Sequence, residues 1–302
     1  MAEIRSGSER KRCAVVTGAN KGCGLEICRQ LASNGVLVVL TSRDIKRGTE
    51  AVENLKNSGL PLVVFHQLDV TNPTSIASLA DFIKTQFGKL DILVNNAGII
   101  GGIADAEGFR AMAEAYGKPH HKQVMTEVMA ETNELSEECL KTNYYGAKAV
   151  TEALLPFLQI SDSARIVNIA SITGKLENIS NEMAKKVLSD IDGLTEEKID
   201  EVLNAYVKDL KDNLLETKGW PANGCAYRLS KAALNAYTRI LAKKFPTFHV
   251  NSFCPGHVKS DINCNTGVLT AEEGVRKPVS LTLLQDDGPS GLFFVHGEVS
   301  DF

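Results

Sequence analysis

Tyr227 and Lys231 lie four positions apart at the head of a stretch whose apolar rhythm continues through Leu234, Tyr237 and Leu241, so a helix would carry both on one face. An unperturbed phenol titrates near ~10 and is a poor acid or base at neutral pH, but an ammonium fixed beside it is expected to lower that value. Such a pair suits proton transfer. Tyr and Lys share this spacing by chance in many helices, so the pair takes its weight from the residues that accompany it.

The most specific companion is Thr17-Gly18-Ala19-Asn20-Lys21-Gly22-Cys23-Gly24, a G-x-x-x-G-x-G turn between an apolar run and a helical stripe. Gly18 permits a tight turn, and Gly22 and Gly24 leave no Cβ between the N–H groups of the helix start and a pyrophosphate. A glycine-rich turn without a ligand is the duller alternative. About 20 residues beyond such glycines, the residue after the second strand faces the adenosine 2′ position. Arg43 stands there. A carboxylate would accept from a free ribose hydroxyl, whereas an arginine fork, helped by Lys21, suits a 2′-phosphate and therefore NADPH/NADP. Asp44 next door argues the other way, and a solvated surface arginine is the plainer reading. Asp69 either accepts from an adenine amino group or closes a capped turn at Asp69-Val70-Thr71.

Polar groups and sharp turns recur in Asn95-Asn96-Ala97-Gly98, in Asn168-Ile169-Ala170-Ser171 and in Pro255-Gly256. The elements that must position them are short β-branched runs at 13–17, 36–41, 62–67, 92–95, 165–170 and 250–254, which read as buried strands. Continuously apolar strands require a sheet covered on both faces. Between the first two, Leu25, Ile27, Cys28 and Leu31 form a helical stripe that stops at Asn34-Gly35. Strand, helix, strand is a βαβ unit. Its repetition predicts an α/β fold, a Rossmann-type doubly wound parallel sheet in one domain spanning 12–302, behind a polar tail at 1–11. Ligands of such sheets bind at the carboxyl ends of the strands, where all these motifs fall.

Two segments break the rhythm, at about 101–134 and 176–220. In the second, Ile199, Val202, Leu203, Tyr206, Val207, Leu210 and Leu214 recur as one face of an amphipathic helix opening after Thr195, with Glu196 and Glu197 in its first turn. Met183, Val187, Leu188 and Ile191 suggest a shorter helix before it. These insertions are too apolar for linkers and must cover something.

The 33 basic and 37 acidic residues are interspersed, so no basic face advertises nucleic acid or an anionic membrane, and a small-molecule partner is expected. Seven cysteines include no C-x-x-C pair and no histidine at zinc-ligand spacing, which fits reduced thiols, no metal and a cytoplasmic setting. The first twelve residues are polar, and no run approaches the ~18 apolar residues of a membrane span.

Taken in this order, the glycine turn, N-N-A-G, the serine after the fifth strand, Y-x-x-x-K and P-G resemble the single-domain branch of the short-chain dehydrogenase/reductase family over about residues 12 to 300. The resemblance implies that Ser171 orients a substrate oxygen, Tyr227 gives or takes its proton, Lys231 holds the nicotinamide ribose and Asn143 supports a proton-relay water. Asn143, in a stretch expected to be helical, otherwise reads as a helix-kinking asparagine, and Ser171 as a turn residue. It also implies a cofactor surface made of Gly18, Asn20, Lys21, Gly22, Cys23, Gly24, Arg43, Asp69, Val70, Asn95, Ala97, Gly98, Tyr227, Lys231, Pro255, Gly256, Val258 and Ser260. Cys23 sits where the family more often has an aliphatic residue; its backbone makes the contact.

Gly98 to Asn143 spans 45 positions and Ser171 to Tyr227 spans 56, far more than most members of the family need. Such insertions, with Phe65-His66-Gln67-Leu68-Asp69-Val70 and Asp286-Asp287-Gly288-Pro289-Ser290-Gly291, are similar to the plant salutaridine reductase and menthone reductase (neomenthol dehydrogenase) group. That likeness implies NADPH-dependent reduction of a ketone on a hydrophobic, terpenoid- or alkaloid-like molecule. In the family, the helices after the fourth and fifth strands commonly build an oligomer interface. Insertions beside them are expected to give a monomer with a helical lid across the carboxyl edge. Oxidation of a secondary alcohol by the same site and a catalytically silent dinucleotide-binding protein are the alternatives.

Overall fold

The computed structural model describes residues 11–115, 124, 128–221, 224–284 and 288–302. The tail at 1–10, part of the first insertion and Asp286-Asp287 lie outside the described residues. One sheet contains β1 (Cys13–Val16), β2 (Leu37–Ser42), β3 (Val63–Gln67), β4 (Ile92–Asn95), β5 (Arg165–Ile169), β6 (His249–Cys254), β7 (Phe293–Val295) and β8 (Glu298–Ser300), in the order β3-β2-β1-β4-β5-β6-β7-β8. All neighbours pair in parallel except β7 and β8. The order reverses direction between β1 and β4, which opens a crevice at the carboxyl edge.

Alternation along each strand divides the apolar residues between two cores. In β1, Cys13 and Val15 enter one and Ala14 and Val16 the other. The second core is closed by α1 (Gly22–Ser33), α2 (Ile45–Asn57) and α10 (Ala271–Leu283), which contribute Ile27, Leu31, Val52 and Val275. The first is closed by α3 (Pro73–Gln86), by α5 (Asn133–Leu140), which continues through a π-turn (Lys141–Gly146) into α6 (Ala147–Leu158), and by α9 (Cys225–Lys244). The fold is thus the expected three-layer α/β sheet in a single domain.

The β7–β8 hairpin was not among the expected strands. Its turn, His296-Gly297, has φ of 51° and 86° at the two positions, the mark of a type I′ turn. Histidine in the place of the usual Asn or Asp, with strands of three residues each, leaves little to read in the sequence.

The second insertion forms α7 (Glu182–Ser189) and α8 (Glu196–Lys211), and Thr195 caps α8 by accepting from Lys198 N at 3.3 Å. Ile199, Val202, Leu203 and Tyr206 are buried, Val207 and Leu210 half-buried, and Leu214 falls beyond the helix. In the shorter helix the expected stripe is only partly correct. Leu188 is buried, whereas Met183 and Ile191 are exposed, the latter past the helix end.

The stripe of α8 is covered by α5, α7 and α9. Lys148 of α6 binds Glu196 at 3.1 Å and Asp200 at 3.3 Å, Lys244 at the end of α9 reaches Glu196 at 3.6 Å, and Lys211 meets Glu137 of α5 at 3.0 Å. Helix α8 therefore runs antiparallel to α9 along the outer flank of the helical layer. The stripe does not lie across the carboxyl edge, where a lid had been expected to bury it. The insertion at that edge is the first, with α4 (Ala106–Ala115) and a small core of Phe109, Met112 and Met129. Among the described residues no helix is long and apolar enough to cross a membrane.

Candidate active site

The carboxyl ends of β1, β4, β5 and β6 gather the predicted residues around the crevice. Helix α9 places Tyr227 in its first turn and Lys231 one turn on, and both meet the loop after β5. Ser171 is close enough to the Tyr227 phenol to favour its ionised form, and its hydroxyl lies 3.0 Å from the Thr173 hydroxyl. Lys231 is 4% exposed and donates from Nζ to the Ile169 carbonyl at 2.8 Å, with Nζ 5.6 Å from the Tyr227 ring centre.

One expectation is corrected here. Lys231 was expected to lower the phenol, but burial pushes Tyr227 upward and outweighs the lowering influence of Ser171. Removing water penalises the phenolate more than a distant ammonium, already engaged by a carbonyl, can repay. Burial also brings Lys231 down to about 8. The phenol is neutral at pH 7. Nearby thiols stay neutral too, with Cys23 pushed up to about 11 and Cys139 to about 12, so neither is poised as a nucleophile.

Asn143 sits in the π-turn with its side chain fully used. Its Oδ1 accepts from Ile99 N at 2.8 Å, and its Nδ2 donates to the Ile99 carbonyl at 2.9 Å and to the Ser230 hydroxyl at 3.0 Å. The side chain is a clamp between the β4 loop and α9, which leaves any contact with a relay water to the main chain. Gly98 makes the junction fit, because a Cβ there would stand 3.2 Å from Asn143 Oδ1 and 3.4 Å from Lys231 Nζ.

The glycine turn has the geometry a pyrophosphate requires. Gly18 has φ of 61°, and a Cβ on it would meet the Ala97 backbone at 2.9 Å, while one on Gly24 would strike the Gly18 carbonyl at 2.7 Å. Gly22 also has positive φ, but its Cβ would find only Ser260, at 3.7 Å. Lys21, the N-cap of α1, makes no side-chain cap. Asn20 is half-buried in the turn and Cys23 half-buried behind it. Two residues missed in the sequence hold the cradle. Thr17 Oγ1 accepts from Asn96 N at 2.9 Å and Ala97 N at 3.0 Å, and Asn96 Nδ2 donates to the carbonyls of Thr17 at 2.9 Å and Gly18 at 3.0 Å.

Asn95 does not join them. It is buried and turned away, donating to Thr151 Oγ1 at 2.9 Å and Asn168 Oδ1 at 2.8 Å, and Asn168 continues to Thr238 at 2.9 Å. This network ties β4 and β5 to α6 and α9, so the Asn95 side chain supports the sheet. Val70, also buried, packs against Gly146 of the π-turn. Pro255 and Gly256 follow β6, with Gly256 at φ 80°, and Val258 is buried beneath the Ser260 turn.

Arg43 is exposed past β2. Asp44, the residue that argued against NADP, is spent as the N-cap of α2, where it accepts from Arg47 N at 2.9 Å. Lys21 departs from expectation. It forms an ion pair with Asp261, on the loop after β6, and so is not free to face a 2′-phosphate unaided. Asp69 Oδ1 closes the local turn, accepting from Thr71 N at 2.9 Å and Thr71 Oγ1 at 2.7 Å. Burial pushes its carboxyl up, but the two Thr71 hydrogen bonds, with Arg43 and Lys141 adding to them, hold it below the usual range.

A parallel sheet wound in this order around a glycine-rich first turn belongs to the dinucleotide-binding class of α/β folds. Within that class the chain belongs to the short chain dehydrogenase family, whose pattern matches residues 12–183. It is an oxidoreductase of that family. It is 56% identical over 298 residues to (+)-neomenthol dehydrogenase of Arabidopsis thaliana, covering 97% of this chain and 99% of the relative. It is 37% identical to carbonyl reductase [NADPH] 3 of Rattus norvegicus, covering 93% and 94%. Its structure superposes on salutaridine reductase from Papaver somniferum with a TM-score of 0.88 and 57% identity, covering 94% of this chain and 99% of the other.

Proposed function

We propose that the chain reduces a ketone on a hydrophobic, terpenoid- or alkaloid-like molecule with NADPH, Tyr227 donating the proton. The observation that carries this reading is Tyr227 beside Ser171 with the buried Lys231 ammonium 5.6 Å from its ring centre, at the edge where the glycine turn leaves space for a pyrophosphate. The residues fit the cofactor: the open Gly22 face and uncapped start of α1 would take the pyrophosphate, Arg43 with Lys21 the 2′-phosphate, and Lys231 the nicotinamide ribose. The bound nicotinamide supplies a hydride. Ser171 holds the carbonyl oxygen, and Tyr227 passes its proton to that oxygen as negative charge develops there.

A buried, neutral phenol is the form that donates a proton, and the same groups run in reverse would oxidise a secondary alcohol, so cofactor ratio and equilibrium position select the direction. NADPH oxidation measured against a panel of terpenoid and alkaloid ketones, with product identification, tests the reading. Turnover of ketones to alcohols supports it, and inertness across the panel with tight NADPH binding would favour a silent sensor.

We also propose that the protein is a monomer, because α8 occupies the outer flank of α5 and α9, the surface through which the family commonly pairs. Light scattering at micromolar concentration should return the mass of a single chain, and a stable dimer would contradict the blocked flank.

A further inference from the structure

The helix that carries Tyr227 cannot cap its own start. The N-cap of α9 is Gly224, at φ 61° and without a side chain, and the third helical residue is Tyr227 itself. Helix α10 of the same chain has what α9 lacks. There Thr270 at the N-cap accepts from Glu273 N at 3.2 Å, and Glu273 at the third position accepts from Thr270 N at 2.8 Å. In α9 a glycine stands in the place of that threonine, and the proton donor in the place of that glutamate.

The missing carboxylate comes from elsewhere in the chain. Gly224 N–H donates to the Glu131 side chain, 93 residues upstream. Glu131 is itself well anchored. The residue before it, Ala130, forms an isolated antiparallel bridge with Ile103, with N···O distances of 2.8 and 2.9 Å, and the residue after it, Thr132, is the N-cap of α5. Gly102 leaves room for it, since a Cβ there would stand 3.2 Å from Glu131 Cγ.

We propose that Glu131 is a positioning residue for Tyr227, supplying from outside the helix the capping carboxylate that α9 lacks and so fixing the first turn of α9 against Ser171. The inference rests on the reading of Tyr227 as proton donor. It also gives the first insertion a role at the site, because the carboxylate belongs to the segment between β4 and α5 and the capped turn carries the reacting hydroxyl. A negative group suits this place twice over, at the positive end of a 20-residue helix and facing Arg228 one turn along it. The other titratable groups facing it are Cys225 of α9, Cys139 of α5 and Tyr206 of α8, all pushed upward by burial and therefore neutral. Burial raises the Glu131 carboxyl above the usual range and outweighs the Gly224 hydrogen bond and Arg228. Its charge is thus lost at a higher pH than that of an ordinary glutamate as the solution is acidified.

The test compares Glu131→Ala, Glu131→Gln, Tyr227→Phe and wild type on the ketone that wild type reduces fastest. The readouts are kcat and KM from pH 5 to 8, NADPH affinity by fluorescence, and folding by circular dichroism. Glu131→Ala is expected to lose roughly tenfold in kcat, the scale of one helix cap, with NADPH affinity unchanged. Glu131→Gln keeps an acceptor and should stay within about threefold at neutral pH, while losing the acid limb of the wild-type profile. A Glu131→Ala enzyme with wild-type kcat overturns the proposal, as does equal loss of kcat and NADPH affinity. If the alanine variant does not fold, a Glu131→Gln enzyme with the wild-type acid limb overturns it. Full activity in Tyr227→Phe marks failure of the underlying reading, whereas an inactive Tyr227→Phe beside an unaffected Glu131→Ala sinks this inference alone.

Discussion

Tyr227→Phe is expected to lose about 10² to 10⁴ in kcat, the usual scale for a general acid, while binding NADPH almost as wild type does. In the proposed reaction the hydroxyl acts on the substrate oxygen beside Ser171, and the ring contributes little to holding a dinucleotide. Only the chemical step should suffer. The Phe ring fills the same space, so the fold is retained and the loss can be read as chemistry. Lys231→Ala should differ by impairing cofactor binding as well, because it removes both the predicted ribose contact and the buried bond to the Ile169 carbonyl. Wild-type turnover in Tyr227→Phe would remove the proposed proton donor.

Arg43→Ala is expected to weaken NADPH roughly ten- to hundredfold and leave NADH nearly unchanged, because it deletes a charge-assisted contact of about 1.5–3 kcal/mol made only to the 2′-phosphate. Lys21→Ala should cost much less. Its ammonium already has a partner in Asp261, and both side chains of that pair are more than half exposed, so exchanging one partner for another changes little. Steady-state kinetics with both cofactors on wild type and the two variants separates the contributions. Equal kcat/KM for NADPH and NADH in the wild-type protein would contradict the assignment of Arg43.

What the sequence left hidden follows from particular contacts. Helix α8 was legible down to its cap, because Thr195, two acidic residues and a repeated apolar face all act locally. The surface it covers was not, since that depends on Lys148 and Glu137, far away in the chain. Asn95 and Asn96 are adjacent in an N-N-A-G motif, and neighbouring residues at a strand end point to opposite sides, so composition could not say which one faces the glycine turn. The structure gives Asn96 to the turn and Asn95 to the buried network with Asn168. Lys21 and Asp261 are separated by 240 positions, beyond the reach of any local pattern. The expected lowering of the Tyr227 phenol failed for a similar reason. Spacing predicts that an ammonium is near, but the degree of burial is set by the whole sheet edge. Glu131 carried no signal of its own, and what could have pointed to it was the absence of a capping residue ahead of Tyr227.

Transfer of label from NADPH deuterated at the reactive nicotinamide carbon tests the proposed reaction most directly. With a ketone that the protein turns over, deuterium is expected on the new carbinol carbon, and the proton on the adjacent oxygen should come from solvent by way of Tyr227. Deuterium on any other carbon of the product, as reduction of a carbon–carbon double bond would give, would contradict carbonyl reduction at this site.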